Sequence, residues 1–382
     1  MHGSKRKGAA AFAVLTIAAL AIVASAFARA DVAPTAASVS TAGCDSPTIG
    51  FMGPITGDVA FIGKEQLGFA QYAIKRLAKG KIKLTQGDTQ LDPAQASTVG
   101  AKFQADSNML AVVGPAGSQE VLAVAPIFKK SQRMPFISGS ATKTSLTAGG
   151  IPNFFRTVPN DSVQSPTTAK FIRQVLKAKS VFIVDDQTAY SKPLANGVQA
   201  NLKAGGVKVT RNSVNQKVTD FSSLVSKIGD DVTVVYLPFQ IAANGQIFGQ
   251  QMKEQGKKAI IVGSDGMDSG DFNIPGSYIS AFAPDIRGIK GNAAFIKGYG
   301  KKFVSNFGPP SYVATNAAIV AIQKACADGE ATRAEVLKNL HATSLPKTVL
   351  GAPLKFTAHG DVKGSKFYIF KLGAGGKKTL VG

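Results

Sequence analysis

The chain has 382 residues, of which 45% are hydrophobic and 18% are charged, and it contains no tryptophan. Its formal net charge is +21, but the lysines are scattered and no basic run is interleaved with aromatic residues. This pattern indicates a solvated basic surface that favours anionic surroundings, and it argues against a nucleic-acid-binding protein.

Residues 1–30 have the pattern of a secretory signal peptide. Lys5, Arg6 and Lys7 precede a long apolar run, and Ala28-Arg29-Ala30 has the small-x-small pattern of a cleavage site. We therefore predict export to the periplasm, cell envelope or exterior, with residues 31–45 as a linker. An uncleaved N-terminal membrane anchor is the alternative. A lipoprotein is rejected because polar residues separate Cys44 from the apolar run.

Beyond the linker, short apolar runs alternate with helical patterns. The predicted strands are 48–52, 81–87, 110–114, 135–138, 180–185, 207–213, 232–237 and 259–263. The predicted helical stretches are 65–80, 93–106, 167–178, 220–230, 292–307, 312–329 and 332–343. We expect the polar segment 159–168 to be an irregular crossover, and 353–372 to hold two strand-like runs around a turn. Continuously apolar strands that alternate with helices predict parallel, doubly wound α/β sheets, here in two sets near 47–157 and 165–285.

Two cysteines, Cys44 and Cys326, are a candidate disulfide in an oxidising compartment, tying the first strand to a late helix. The alternative is two separate thiols, with Cys326 buried on its helix. The histidines (His2, His341 and His359) have no ligand spacing. We therefore predict no metal and no cofactor.

Four glycine-rich loops follow apolar strands, at 53–63, 114–120, 138–144 and 263–270. The first resembles a phosphate-binding P-loop but has the wrong glycine spacing, and Glu65 follows Lys64 where Ser or Thr is required. Loops at the carboxyl ends of strands line the ligand crevice of open α/β sheets. We expect the hydroxyls of Ser118, Ser140 and Thr142 to meet an anion there, and Asp265 to meet a cation. Taken singly, each hydroxyl is better explained as an ordinary helix N-cap, but four polar loops at strand ends in two domains together favour a ligand cleft.

Over about 47–375 the chain resembles the periplasmic leucine/isoleucine/valine-binding proteins, which are substrate-binding subunits of ABC importers. The resemblance lies in 49–74, 110–118, 135–147, 154–172, 181–198 and 261–267. It implies the type I periplasmic binding fold, with two Rossmann-like lobes joined by a hinge of several crossovers. It places lobe 1 at 46–160 and 288–357, and lobe 2 at 161–287 and 358–382.

The resemblance also assigns roles within the cleft. Ser118 and the Thr142 loop, with Gly117 and Ala141 beside them, would hold the carboxylate of an amino acid. The ammonium group would contact the Ser140 carbonyl, the Thr142 hydroxyl and Asp265. Tyr190 would close over the ligand from lobe 2.

Three positions depart from the family pattern. Asp265 stands where glutamate is usual, so the ligand sits deeper or a water bridges the gap. Ile62, beside Phe61, stands where a large aromatic is frequent, which reshapes the side-chain pocket. Leu91 and Gly117 stand where some members have a disulfide.

The resemblance thus implies a monomeric binding protein that captures an amino acid, preferably branched-chain, and delivers it to a membrane permease. The alternatives are a binding protein for an amide, urea or aromatic acid, and a ligand sensor feeding a signalling receptor. A secreted enzyme is disfavoured because no histidine lies in the candidate cleft loops.

Overall fold

The computed structural model describes residues 42–130 and 132–382. The predicted signal peptide and most of the predicted linker lie outside these residues. Within them, no helix is both long and apolar enough to cross a membrane.

The described chain alternates strands and helices along most of its length. The strands are β1 (Ala42–Gly43), β2 (Thr48–Gly53), β3 (Lys83–Asp88), β4 (Met109–Val113), β5 (Phe136–Ser138), β6 (Phe154–Arg156), β7 (Ser180–Asp185), β8 (Lys208–Ser213), β9 (Val234–Leu237), β10 (Ile260–Gly263), β11 (Tyr278–Ala281), β12 (Glu330–Ala331), β13 (Ser344–Leu345), β14 (Leu354–Lys355), β15 (Tyr368–Leu372) and β16 (Lys378–Leu380). The helices are α1 (Ala60–Ala73), α2 (Pro93–Ala105), α3 (Ser118–Phe128), α4 (Asp161–Lys170), α5 (Ser191–Ala204), α6 (Ser222–Val225), α7 (Ala242–Glu254), α8 (Ala293–Tyr299), α9 (Gly308–Ala325) and α10 (Arg333–His341). Helices α1 and α4 each continue into a π-helical turn, over Ile74–Ala78 and Phe171–Val175.

Two principal sheets organise two α/β lobes. The first is parallel throughout, in the order β3-β2-β4-β5-β6. The second has the order β16-β15-β11-β10-β9-β7-β8, in which β15 and β16 are antiparallel additions to a parallel core. The α/β class and the two-lobed architecture predicted from the sequence are thus confirmed. The residue boundaries of the lobes stay a prediction.

Helices cover both faces of the first sheet, which explains why its central strands are apolar on both sides. One core joins this sheet to α1 and α9 through residues such as Phe69, Ile137 and Ile319. A second core on the opposite face joins it to α2 and α3 through Phe103 and Phe128. Because helices cover both faces of this sheet, a ligand is expected to bind at the carboxyl ends of its strands.

The chain passes between the two sheets three times. It leaves the first sheet after β6 and enters α4, returns from β11 to α8, and crosses again from β14 to β15. Arg156, at the first crossing, is buried and paired with Asp361 of the third crossing at 2.6 Å. This ion pair fixes two of the three connections to each other.

The disulfide predicted between Cys44 and Cys326 is present, with the two Cα atoms 5.6 Å apart. Cys44 follows β1, which pairs with β12 in a small antiparallel ladder, and Cys326 follows α9. The bridge therefore fastens the start of the described chain to the last turn of the longest helix in lobe 1.

Several element boundaries predicted from the sequence are wrong. Helix α1 begins at Ala60, not near Lys64, so part of the predicted first loop is helix. Helix α8 ends at Tyr299 because Gly300 takes a left-handed conformation with φ 66°. The short strands β6 and β11 are not among the strands predicted from the sequence.

The segment 159–168, expected to be irregular, is mostly helix α4. The side chain of Asn160 caps it by accepting a hydrogen bond from the Ser162 N–H at 2.9 Å. No apolar period is visible in the sequence because the buried side of its first two turns is polar. The buried residues there are Asp161, Gln164, Ser165, Thr168 and Ala169.

Candidate functional site

A cavity lies where the carboxyl ends of the two sheets face each other. The space inside it is about 20 Å³, room for about one water molecule, so its walls lie close together in this structure. It is lined by Ile62, Leu91, Ala116, Gly117, Ser118, Ser140, Tyr190, Gln240, Asp265, Gly266 and Phe307. Both lobes contribute, so a bound molecule would contact both.

The lobe 1 wall is built on the first turn of α3. Gly117 caps this helix, its N–H donates to Glu120 Oε2 at 2.6 Å, and Ser118 is the first helical residue. The remaining N–H groups of a helix N-terminus, with the positive end of its dipole, favour a carboxylate. Ser118 Oγ accepts a hydrogen bond from the Lys143 N–H at 3.3 Å, which ties this turn to the loop after β5.

The hydroxyl of Ser140 is engaged within the protein. It donates to the Ala116 carbonyl and accepts from Gln66 Nε2, both at 2.8 Å. The Ser140 side chain therefore braces the two loops of lobe 1 against each other. The resemblance assigned its backbone carbonyl to the ligand's ammonium group, and the expectation that its hydroxyl meets an anion stays a prediction.

The lobe 2 wall carries a buried acid. Asp265 follows β10, and its Oδ1 accepts from Tyr190 OH at 2.7 Å and from Gln164 Nε2 at 2.5 Å. Burial raises the pKa of Asp265 to about 6, although these two hydrogen bonds oppose the shift. Burial and the nearby Asp265 raise the pKa of Tyr190 well above its usual value, so Tyr190 stays a donor. A cation bound beside this pair would favour the ionised form of Asp265 and lower its pKa.

Apolar side chains close the remaining walls. Ile62, in the first turn of α1, lies with Leu91 and Phe307 in one small buried cluster. Phe307 is held at the start of α9, where Glu65 Oε1 accepts from the Gly308 N–H at 3.2 Å and from Ser305 Oγ at 2.6 Å. This part of the cavity suits an aliphatic or aromatic group.

The structure brings six of the nine predicted ligand residues to the cavity wall: Ile62, Gly117, Ser118, Ser140, Tyr190 and Asp265. Ala141 and Thr142 are fully buried behind it. Phe61 lies edge-to-face against Phe307, with the ring centroids 6.3 Å apart. Their roles in ligand contact stay predictions.

Sequence reasoning did not assign ligand roles to Leu91, Ala116, Gln240, Gly266 or Phe307. Gln240 lies in the loop after β9, so it could have been predicted from the rule that loops after parallel strands line the ligand crevice. It also bonds across the cleft, where its Oε1 accepts from Gln119 Nε2 at 2.9 Å. Phe307 had no such signal, because it falls in a stretch expected to be helical.

Among residues 42–130 and 132–382 there is no group of three or more His, Cys, Asp or Glu arranged to hold a metal ion. The polar groups of the cavity are hydroxyls, backbone donors, amides and one buried acid with its tyrosine. This set can recognise a molecule with a negative end, a positive end and an apolar side.

Two α/β lobes with such a cavity between them define a solute-binding protein that holds its ligand at the interface. Residues 46–377 match the model of the family described as periplasmic binding protein, and the chain belongs to that family.

Curated relatives are similar over most of their length. The Leu/Ile/Val-binding protein homolog 1 of Brucella abortus is 32% identical over 345 residues, which cover 86% of this chain and 91% of the relative. The leucine-specific-binding protein of Salmonella typhimurium is 28% identical over 350 residues, covering 88% and 93%.

Solved structures share the fold. The branched-chain amino acid transporter substrate-binding protein LivJ of Streptococcus pneumoniae, in complex with isoleucine, has a TM-score of 0.78 at 23% identity and covers 88% of this chain and 99% of that chain. A solute-binding protein of an ABC transporter from R. palustris, in complex with benzoate, has a TM-score of 0.75 at 19% identity, covering 88% and 96%.

Proposed function

We propose that this protein captures an amino acid between its two lobes, with a preference for leucine, isoleucine or valine. The observation that carries the proposal is the polarity of the cavity. The α3 N-terminus with Ser118 offers hydrogen-bond donors to an anion, and the Tyr190–Asp265 pair offers a buried acid to a cation. The names of the relatives, Leu/Ile/Val-binding and leucine-specific-binding proteins, support the same ligand class.

The mechanism is hinge closure around the ligand. The amino acid docks on Ser118 and the Ser140 loop of lobe 1, and lobe 2 then brings Tyr190 and Asp265 onto its ammonium group. Pairing both charged ends in a dry cavity fixes the orientation, and the wall of Ile62, Leu91 and Phe307 receives the side chain.

We propose that the closed, monomeric protein delivers its ligand to a membrane permease of an ABC importer. Its place would be the periplasm or cell envelope, as family membership and the signal-peptide pattern of residues 1–30 suggest. The permease, and not this chain, would couple delivery to ATP hydrolysis.

The test is calorimetric titration of residues 31–382 with leucine, isoleucine, valine, an amide, urea and benzoate. A ligand that binds only the native state also raises the melting temperature as its concentration rises. Binding of a branched-chain amino acid supports the proposal. Binding of benzoate or an amide alone would keep the binding role but contradict the ligand class, and no binding across the panel would contradict the function.

A further inference from the structure

A second cavity lies among the three crossings that connect the lobes. Its lining takes Thr157 and Pro159 from the first crossing, Phe282 and Pro284 from the second, and the segment 362–366 from the third. It shares no lining residue with the ligand cavity between the lobes. This hinge cavity is therefore built from the segments that must change shape when the lobes move.

The hinge cavity encloses more space than the ligand cavity. The space inside it is about 130 Å³, against about 20 Å³ between the lobes. In proteins, an apolar cavity of about 150 Å³ can hold a molecule the size of benzene. The hinge cavity can therefore admit an organic group of about six heavy atoms in this arrangement of the lobes.

Most of the lining of the hinge cavity is apolar. The apolar residues in it include Pro159, Phe282, Val313, Leu350, Leu354 and Val362. Two of its hydroxyls are already engaged within the protein. Thr157 Oγ1 donates to the Pro310 carbonyl at 2.9 Å, and Thr348 Oγ1 donates to the Ala352 carbonyl at 2.7 Å. The walls therefore suit a hydrocarbon group better than a polar one.

Two lysines lie at the rim of the hinge cavity. Lys363 and Lys366 are both part of its lining, and both are exposed. Lys366 Nζ lies 5.1 Å from the centre of the Tyr368 ring, which is itself part of the wall. Among residues 42–130 and 132–382, neither lysine belongs to an ion pair. Two cations beside an apolar cavity complement an anion that carries a hydrocarbon tail.

An aromatic pair separates the hinge cavity from the ligand cavity. Phe282 lines the hinge cavity and Phe307 lines the ligand cavity, and their rings meet edge to face with the centroids 5.1 Å apart. Both rings belong to the same buried apolar cluster as Ile62 of the ligand cavity. Because this cluster is closely packed, an occupant that contacts Phe282 would restrain Phe307 as well.

We propose that the hinge cavity binds a small aliphatic monocarboxylate, with its tail against Phe282 and its carboxylate beside Lys363 and Lys366. The cavity is present while the walls of the ligand cavity lie close together, so its occupant stabilises this arrangement of the lobes. It therefore raises the affinity for a molecule held between the lobes. The binding of the carboxylate does not depend on the proposed function, whereas its effect on leucine rests on that function.

The experiment titrates residues 31–382 with hexanoate by calorimetry, alone and after saturation with leucine. We expect hexanoate to bind, and saturating hexanoate to raise the affinity for leucine by about fivefold or more, as is usual for two coupled sites. Leucine should strengthen hexanoate binding by the same factor, because the coupling of two binding sites is reciprocal. Hexylamine, which has an aliphatic chain but a positive head, should bind far more weakly.

The double variant Lys363→Gln with Lys366→Gln tests the role of the lysines. It should bind hexanoate about tenfold more weakly, because it loses the charged contacts to the carboxylate, and its affinity for leucine alone should stay as in the wild type. The matched control is Lys347→Gln with Lys355→Gln, which removes two exposed charges nearby but outside the cavity lining. The control should bind hexanoate as the wild type does, and equal losses in the two double variants would overturn the proposal.

Three further results would contradict the proposal. The absence of hexanoate binding, with or without leucine, would overturn it. Competition between hexanoate and leucine would overturn it too, because it would place the carboxylate between the lobes. An unchanged affinity for leucine in saturating hexanoate would overturn the coupling. If the wild type binds no amino acid, the proposed function fails, and hexanoate binding by the two double variants still decides whether the hinge cavity is a site.

Discussion

At the scale of single residues, Asp265 is the group on which the proposed charge recognition most depends. Its carboxylate is buried and accepts hydrogen bonds from Tyr190, at the start of α5, and from Gln164, in α4. We expect Asp265→Ala to weaken leucine binding by about 100-fold, because it removes a charge-assisted contact and leaves the ammonium group without its lobe 2 partner. Calorimetric titration measures this loss. Asp271→Asn, in the same loop but exposed, serves as the control, and equal losses in the two variants would contradict the role of Asp265.

A pH dependence follows from the same buried acid. In the empty protein burial raises the pKa of Asp265 from 3.8 to about 6. An ammonium ligand needs this acid ionised, so a protonated Asp265 must release its proton before the ligand binds. The charged and titratable groups around Asp265 are Asp161, Tyr190, Tyr236 and Asp268, of which Asp268 is itself paired with Lys378.

Leucine affinity should therefore be highest above pH 7 and fall by about tenfold per pH unit below pH 6. Titrations between pH 5 and pH 8 test this, with Asp265→Asn as the variant in which the slope should become shallower. An affinity that rises as the pH falls would contradict the proposed contact between ionised Asp265 and an ammonium group.

At the scale of elements, sequence patterns predicted most strands of the two principal sheets but fewer of the helices, since α3, α5 and α7 match none of the predicted helical stretches. The eight predicted strands are all present, and most are buried apolar runs, as in Val181–Val184 of β7, whereas the edge strands β3 and β8 are partly exposed. The first part of helix α4 was not predicted because amphipathic helices are recognised by an apolar side, and the buried side of α4 carries Asp161, Gln164 and Thr168 instead.

The same contrast holds within the cavity. Ser118 and Asp265 were predictable because loops at strand ends point into the crevice of a doubly wound sheet. Phe307 was not, since it reaches the cavity through the tertiary packing of the segment before α9 against α1. No local sequence pattern predicts a tertiary contact of this kind.

Helix α10 offers a test of local stability. Thr332 Oγ1 accepts from the Glu335 N–H at 3.1 Å, and Glu335 Oε2 accepts from the Thr332 N–H at 2.7 Å, as the capping-box spacing predicts. We expect Thr332→Ala to lower the free energy of unfolding by about 1 kcal/mol, measured by urea denaturation. Leucine affinity should be unaffected, so a change in affinity with no change in stability would contradict a purely structural cap.

At the scale of the whole molecule, the disulfide should stabilise the fold without shaping the site. It closes a loop with a sequence separation of 282 residues, which restricts the unfolded chain. Cys326 follows the last residue of α9, whereas Phe307 of the cavity wall precedes its first residue. The disulfide and the cavity wall are therefore separated by the length of an 18-residue helix, about 27 Å.

Replacement of both cysteines by serine should therefore cost about 2–5 kcal/mol in the free energy of unfolding, with ligand affinity retained. Chemical denaturation and calorimetry on the double variant measure the two quantities. A large loss of affinity in a folded double variant would show instead that the bridge transmits strain to the cleft.

The ion pair between Arg156 and Asp361 has a consequence for how a ligand leaves. It joins the first and third crossings, so these two connections should bend together when the lobes separate. Tyr190 and Asp265 travel with lobe 2, whereas Ser118 and Ser140 stay with lobe 1. We therefore expect both walls to release the solute in one concerted opening, so that the lifetime of the complex is set by the rate of that opening.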